Sequence, residues 1–211
     1  MIETHLIPAT THGRVLVQDT ARARGVLVGF HGYMENAGIQ MSRLTAIPGV
    51  RAWRLVTVQG LHRFYKGRGE TVVASWMVRE DREAMIADNV QYVDAALDTI
   101  APGPGQRIVY AGFSQGVAMA FRAAIKGRRD AAGVIAVGGD VPPELWRGDA
   151  RFPPVLLLRG SRDEWYTQQA FDADVAALTA RGVPLEAHVY DGGHDWSHDV
   201  ATLAGRFLDR C

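Results

Sequence analysis

The sequence has a single cysteine, and it is the last residue, Cys211. An intramolecular disulfide is impossible, and a metal site built on several thiolates is excluded. No apolar run approaches the roughly 20 residues that a helix needs to span a bilayer. The first twenty residues, MIETHLIPATTHGRVLVQDT, lack a basic start followed by an apolar stretch, so they do not read as a secretion signal. An excess of one charge is lacking too, because 23 Lys and Arg balance 23 Asp and Glu. That balance gives no electrostatic footprint for nucleic acid or another polyanion. The local basic cluster KGRRD at 126–130 reads as a solvated helix end. Internal repeats and low-complexity linkers are also missing. A cytoplasmic location without membrane insertion is the expectation, and both monomer and homodimer are compatible with the sequence.

What is present is an alternation of short apolar runs with longer helical patterns. The 211 residues, 47% of them hydrophobic, suffice for one sizeable core. The runs RVLVQD (14–19), GVLVGF (25–30), RLVTVQ (54–59), RIVYAG (107–112), AGVIAVGG (132–139), VLLLRG (155–160) and LEAHVY (185–190) predict strands. Several are continuous Val, Ile and Leu, as in strands covered on both faces. Between them, 79–100 places Met85, Val90, Val93 and Leu97 at helical spacing, 168–182 does the same with Phe171, Val175 and Leu178, and 199–210 predicts a terminal helix. The segment IAPGPGQ at 100–106 reads as a short breaker, and 141–154 as an irregular crossover. This pattern predicts one α/β domain over residues 1–211, with a mostly parallel sheet whose earliest strands need not be parallel to the rest.

Ser114 sits where such a strand meets a helix, in YAGFSQGVAM at 110–119. A sharp turn there would lift its hydroxyl above the sheet, and Gly112 and Gly116 would let strand and helix approach closely. The competing reading is an ordinary N-cap serine. A nucleophilic serine needs a base, and the base needs an orienting group. Among seven histidines, His194 lies in a glycine-rich loop just past the last predicted strand. His198 falls at the last helix, His188 within a strand, and His62 in a loop before the serine. For the carboxylate, Asp163 follows the strand at 155–160, with Asp140 as its rival after AGVIAVGG. The resulting chain order is Ser, Asp, His.

A developing oxyanion needs N–H donors. The loop after the strand at 25–30 offers those of Tyr33 and Met34, and Gln115 follows the serine directly. Tyr33 and Gln115 are chosen as backbone donors, which leaves their side chains free to vary. His31 reads as a brace of this loop rather than a proton carrier. Met34, Trp76, Trp165, Tyr166 and Trp196 lie near the inferred rim as candidate pocket residues, and Trp76 reads equally well as core packing. The long segment 61–83 is a candidate pocket wall.

These residues resemble the α/β-hydrolases of the phospholipase/carboxylesterase group, which includes the acyl-protein thioesterases. The resemblance rests on FHGYMENAG (30–38), AGFSQG (111–116), RGSRD (159–163) and GGHDW (192–196), and it spans residues about 25–208. It implies a mostly parallel central sheet with helices on both faces and no large cap domain. It also implies Ser114 as nucleophile, Asp163 as acid, His194 as base, and the amides of Tyr33 and Gln115 as oxyanion hole, with no cofactor or metal. Tyr33-Met34 stands where the group commonly has Leu-Gly, and Trp165-Tyr166 where the thioesterases usually have Val-Pro, so the departures fall on the substrate side. The layout also resembles dienelactone hydrolases, which carry cysteine at the position of Ser114. Hydrolysis of small to medium carboxylic esters is the expected activity. Acyl-thioester, lysophospholipid and, further off, amide or peptide hydrolysis are the alternatives. A non-catalytic binding protein on this fold would be expected to lose a member of the Ser, Asp, His set.

Overall fold

The computed structural model describes residues 1–100 and 105–211, so residues 101–104 of the expected breaker lie outside the described residues. Seven strands form the main sheet: β1 (Arg14–Gln18), β2 (Gly25–Phe30), β3 (Arg54–Gln59), β6 (Arg107–Phe113), β7 (Gly133–Val137), β8 (Val155–Gly160) and β9 (Leu185–Tyr190). Their spatial order is β1-β3-β2-β6-β7-β8-β9. All neighbours pair in parallel except β1, which runs antiparallel to β3. A separate antiparallel hairpin pairs β4 (His62–Tyr65) with β5 (Val72–Ser75).

The helices are α1 (Ala37–Thr45), α2 (Arg82–Ile100), α3 (Gln115–Lys126), α4 (Gln168–Ala180) and α5 (His198–Arg210). Strand side chains alternate between two cores, as the period of two demands. Val26, Val28, Phe30, Ile108, Tyr110, Val155 and Leu157 join α2, α3 and α4 on one face. Leu27, Val109, Ala111, Phe113, Leu156 and Leu158 join α1 and α5 on the other. Both faces of the inner strands are covered, so β2, β7 and β8 are buried along their whole length, whereas the edge strands β1 and β9 carry polar, exposed residues.

The fold is that of the α/β-hydrolases: a mostly parallel sheet with helices on both faces. From β2 the chain turns outward to β3, whereas from β6 it proceeds the other way to β7. The crevice at the carboxyl ends of β2 and β6 is therefore the switch point of the sheet, where ligands of open α/β sheets collect.

The segment 61–83, a candidate pocket wall, contains the hairpin β4–β5, which the strand runs did not include. The hairpin is anchored by a bridge between Glu35 and Ala74, with Ala74 N donating to Glu35 O at 2.8 Å and Met34 N to Ala74 O at 3.1 Å. Helix α2 begins at Arg82 rather than at residue 79. Helix α1, absent from the sequence reading, is capped by Asn36, whose side chain accepts from Ile39 N at 3.0 Å. Among the described residues no helix is long and apolar enough to cross a membrane.

Candidate active site

Ser114 joins β6 to α3 with φ 53° and ψ −122°. A non-glycine residue at positive φ costs about 1–3 kcal/mol and persists only where its surroundings enforce it. Here Ser114 N donates to Val137 O and Val117 N to Ser114 O, each at 2.9 Å. The serine does not cap α3, because its side chain accepts no hydrogen bond from the helix. Its Oγ lies 2.8 Å from His194 Nε2 instead.

The turn is possible because two glycines remove the side chains that would block it. A Cβ on Gly116 would stand 2.2 Å from Phe30 O and 2.6 Å from His31 O, and one on Gly112 would stand 2.3 Å from Gly116 O. These approaches seat the start of α3 directly on the end of β2.

His194 hangs from the loop between β9 and α5, half-buried, with its ring 4.9 Å from that of Phe113. Its Nδ1 is 2.8 Å from Asp163 Oδ2. Asp163 is buried in the turn after β8, and its Oδ1 accepts from Trp165 N at 2.9 Å and Tyr166 N at 3.0 Å. An oxygen already taken by two N–H donors leaves Oδ2 to accept from His194 Nδ1–H. That tautomer presents a bare Nε2 to the serine hydroxyl. The rival carboxylate, Asp140, lines the nearby cavity and makes no hydrogen bond to His194 among the described residues.

The acid turn has its own support, which the sequence reading missed. Arg159, buried at the end of β8, donates Nε to Tyr166 O at 2.7 Å, Nη2 to Asp163 O at 3.0 Å and Nη1 to Gln168 Oε1 at 3.1 Å. One guanidinium thus fixes both ends of the turn that aims Asp163. Its place in the strand-end run VLLLRG was the available signal, since an arginine at the end of a fully buried strand must find acceptors there.

On the other side, the loop after β2 is held by His31, Glu35 and Trp76. His31 is buried, accepts Gly60 N at Nε2 (3.0 Å) and lies 2.7 Å from Gly32 O at Nδ1. Burial lowers its pKa, so the ring stays neutral and serves as a brace. Trp76 Nε1 donates to His31 O at 2.8 Å. Burial pushes the Glu35 carboxyl up, but the Arg43 guanidinium and Gly32 N–H outweigh it, and the net pKa is lowered. Glu35 Oε2 accepts Gly32 N at 2.8 Å, and its Oε1 accepts Arg43 Nη2 at 2.7 Å. Arg43 in turn lies 4.0 Å above the Phe113 ring.

Met34 N is consumed by Ala74 O, whereas the N–H groups of Tyr33 and Gln115 make no hydrogen bond among the described residues. Of the three backbone donors considered, those two are left open. The Gln115 side chain, expected to be free, is not. Its Oε1 accepts Trp76 N at 2.9 Å, and its Nε2 donates to Met77 O at 3.0 Å and to Ser75 Oγ at 3.2 Å. It clamps the chain leaving β5 onto the start of α3.

A cavity of about 490 Å³ adjoins Ser114 and His194. Of the expected pocket residues, Trp76, Trp165 and Tyr166 line it. Met34 and Trp196 do not. Met34 is held in a left-handed turn at φ 57° with its backbone tied to Ala74, and Trp196 faces a groove with Ile39, Arg43 and Ala201 on the α1/α5 side of the sheet. Trp76 is wholly buried yet reaches the cavity, so core packing and pocket lining are one role there. Tyr166 is also buried, and its hydroxyl donates to Asp174 Oδ2 at 2.7 Å.

The fold and this strand-end cluster define an α/β-hydrolase. The model of the phospholipase/carboxylesterase family matches residues 71–210, and the chain belongs to that family. Esterase PE8 superposes with a TM-score of 0.72 at 23% identity, covering 94% of this chain and 97% of that one. Acyl-protein thioesterase 2 of Zea mays gives 0.72 at 18% identity, covering 94% and 99%. The carboxylesterase of Bacillus cereus gives 0.70 at 16% identity, covering 94% of each chain. At these identities the likeness concerns the fold. No curated protein matches the chain. Family and fold make it a hydrolase of the carboxylesterase and acyl-thioesterase kind.

Proposed function

We propose that the chain is a serine carboxylesterase that cleaves small to medium carboxylic esters, with Ser114 as nucleophile, His194 as base and Asp163 as orienting acid. The observation that carries this reading is the unbroken path from Asp163 Oδ2 to His194 Nδ1 and from His194 Nε2 to Ser114 Oγ, each step 2.8 Å. Ser114 Oγ attacks the ester carbonyl carbon as His194 Nε2 takes its proton. The carbonyl oxygen becomes an oxyanion between the N–H groups of Tyr33 and Gln115. Collapse breaks the bond to the alkoxy oxygen, which leaves as alcohol with the proton from His194. Water then attacks the acyl-serine, giving its proton to His194. Collapse of the second intermediate returns that proton to Ser114 Oγ and releases the acid. Asp163 keeps the imidazole in the productive tautomer and faces its positive charge.

Thioesters follow the same steps with a thiol as leaving group, so they belong in the same test. Fluorophosphonate labelling of wild type and Ser114→Ala comes first, followed by p-nitrophenyl esters from short to long acyl chains and a matched thioester. Labelling lost in Ser114→Ala and turnover highest on short esters are the expected results. Labelling that persists in the variant overturns the nucleophile. Collapse of activity in Asp140→Ala but not Asp163→Ala overturns the acid.

A further inference from the structure

The cavity beside Ser114 carries a feature that ester hydrolysis alone does not use. Arg79, Arg82 and Arg122 line it. Arg122 is buried and reaches Glu144 Oε1 through Nε and Nη2, both at 2.7 Å. Arg82 Nη2 donates to the other oxygen, Glu144 Oε2, at 3.2 Å. One carboxylate is therefore shared by two guanidinium groups. The Nη1 donors of both arginines converge on Met77 Sδ, 3.3 Å from Arg82 and 4.0 Å from Arg122.

A thioether sulfur is a weak acceptor for two cationic donors. Guanidinium N–H groups find their strongest partners in carboxylates, whose two oxygens match the fork. Arg79 forms no ion pair among the described residues, although Glu80, Asp81 and Glu83 follow it in the chain. Asp140 is the opposing carboxylate on the cavity wall. Arg79, Arg82 and Arg122 set against Glu144 and Asp140 leave one positive charge in excess. An acyl pocket meant for a plain aliphatic chain has no use for such a wall, since a hydrocarbon offers no acceptor to the buried Arg122 Nη1 or to the guanidinium groups beside it.

Building on the esterase reading, we propose that the substrate is a monoester of a short dicarboxylic acid, whose free carboxylate takes the Nη1 donors of Arg82 and Arg122 in place of Met77 Sδ. Two donors within 4.0 Å of one sulfur atom stand close enough for the two oxygens of one carboxylate. The unbranched Met77 side chain has the rotatable bonds to withdraw. Arg79, exposed at the mouth, draws the anion in.

The test compares kcat/KM for monoethyl glutarate with that for ethyl glutaramate, in which a neutral amide replaces the carboxylate. Wild type is expected to prefer the anionic ester by about tenfold or more, the worth of a charge-assisted hydrogen bond. Arg82→Met, at an exposed side chain, is expected to bring that ratio close to one, and Arg79→Met to lower it part of the way. A wild-type ratio near or below one overturns the proposal, and so does a full preference retained in Arg82→Met. In both cases turnover of the neutral ester leaves the esterase reading standing. Failure to cleave either ester, with no labelling at Ser114, overturns the esterase reading and this proposal together.

Discussion

Replacing Gly116 by alanine tests whether the seat of α3 on β2 sets the catalytic geometry. The new Cβ would lie 2.2 Å from Phe30 O, with His31 O and Phe30 C both at 2.6 Å. All three neighbours are backbone atoms, so no side-chain rotation relieves the clash. Ordinary contact begins near 3.4 Å, and the end of β2 must therefore move from α3 by about 1.2 Å. That movement carries Tyr33 N–H, on the loop after β2, away from Gln115 N–H, on the first turn of α3. A hydrogen bond of about 2.9 Å stretched by this much is lost. Removal of one oxyanion donor costs about 10²–10³ in kcat. Overpacking of this kind costs about 1–3 kcal/mol, which for a chain of this length lowers Tm by about 2–12 °C. Gly116→Ala is expected to fold, to melt lower, and to lose about a hundredfold or more in kcat on p-nitrophenyl acetate with a smaller change in KM. Steady-state kinetics beside a calorimetric melt checks it. A variant that melts lower but keeps kcat within about threefold refutes the link between the β2–α3 gap and the N–H groups proposed as oxyanion donors. A variant unchanged in both refutes the close contact itself.

Two further outcomes follow from buried charges. Burial raises the Asp174 carboxyl to about 6, against an ordinary value of 3.8, while its hydrogen bonds from Tyr166 and Val141 hold it lower than burial alone would. The folded state thus holds this proton more tightly than the unfolded chain, and its contribution to stability falls as pH rises from about 4 through 6. Asp174→Asn removes that dependence, so its stability relative to wild type should rise over the same window in urea unfolding at pH 4.5 and 7; a constant difference would contradict the shift. Glu35→Gln leaves Arg43 without its carboxylate and weakens the hold on Gly32 N. A loss of about 2 kcal/mol is expected, read as a Tm drop of about 4–8 °C, together with a lower kcat; an unchanged kcat at the lower Tm would separate the brace from the oxyanion loop.

The main sheet was legible strand for strand, since short runs rich in Val, Ile and Leu between helical patterns have few other uses in a chain of this length. The hairpin β4–β5 was not. Its strands, HRFY and VVAS, are four residues each, too short for a period to register, and they exist because Ala74 pairs with Glu35 across the loop after β2. Helix α1 carried a cap signal in Asn36, but its nine residues offer only Ile39, Met41 and Leu44 as large apolar side chains, too few for a helical period to register. Met34 and Trp196 were placed at the rim on proximity in sequence alone, and a left-handed turn at one and the opposite face of the sheet at the other took them away.

By itself the sequence determined the order of strands and helices and the strand ends after which Ser114, Asp163 and His194 fall. It also determined the membership in a hydrolase family. These are local matters, because apolar periodicity and glycine spacing act within a few residues of chain. Only the tertiary structure decided which N–H groups remain open, since what closes Met34 N and leaves Tyr33 N open is the distant carbonyl of Ala74. It alone gave Gln115 a side-chain task 38 to 40 residues away in sequence, and Arg159 its grip on the acid turn. It alone brought Arg82 and Arg122 onto one carboxylate and one sulfur. Hydrogen-bond satisfaction and charge pairing depend on what folding brings within about 3 Å, and sequence separation carries no record of that.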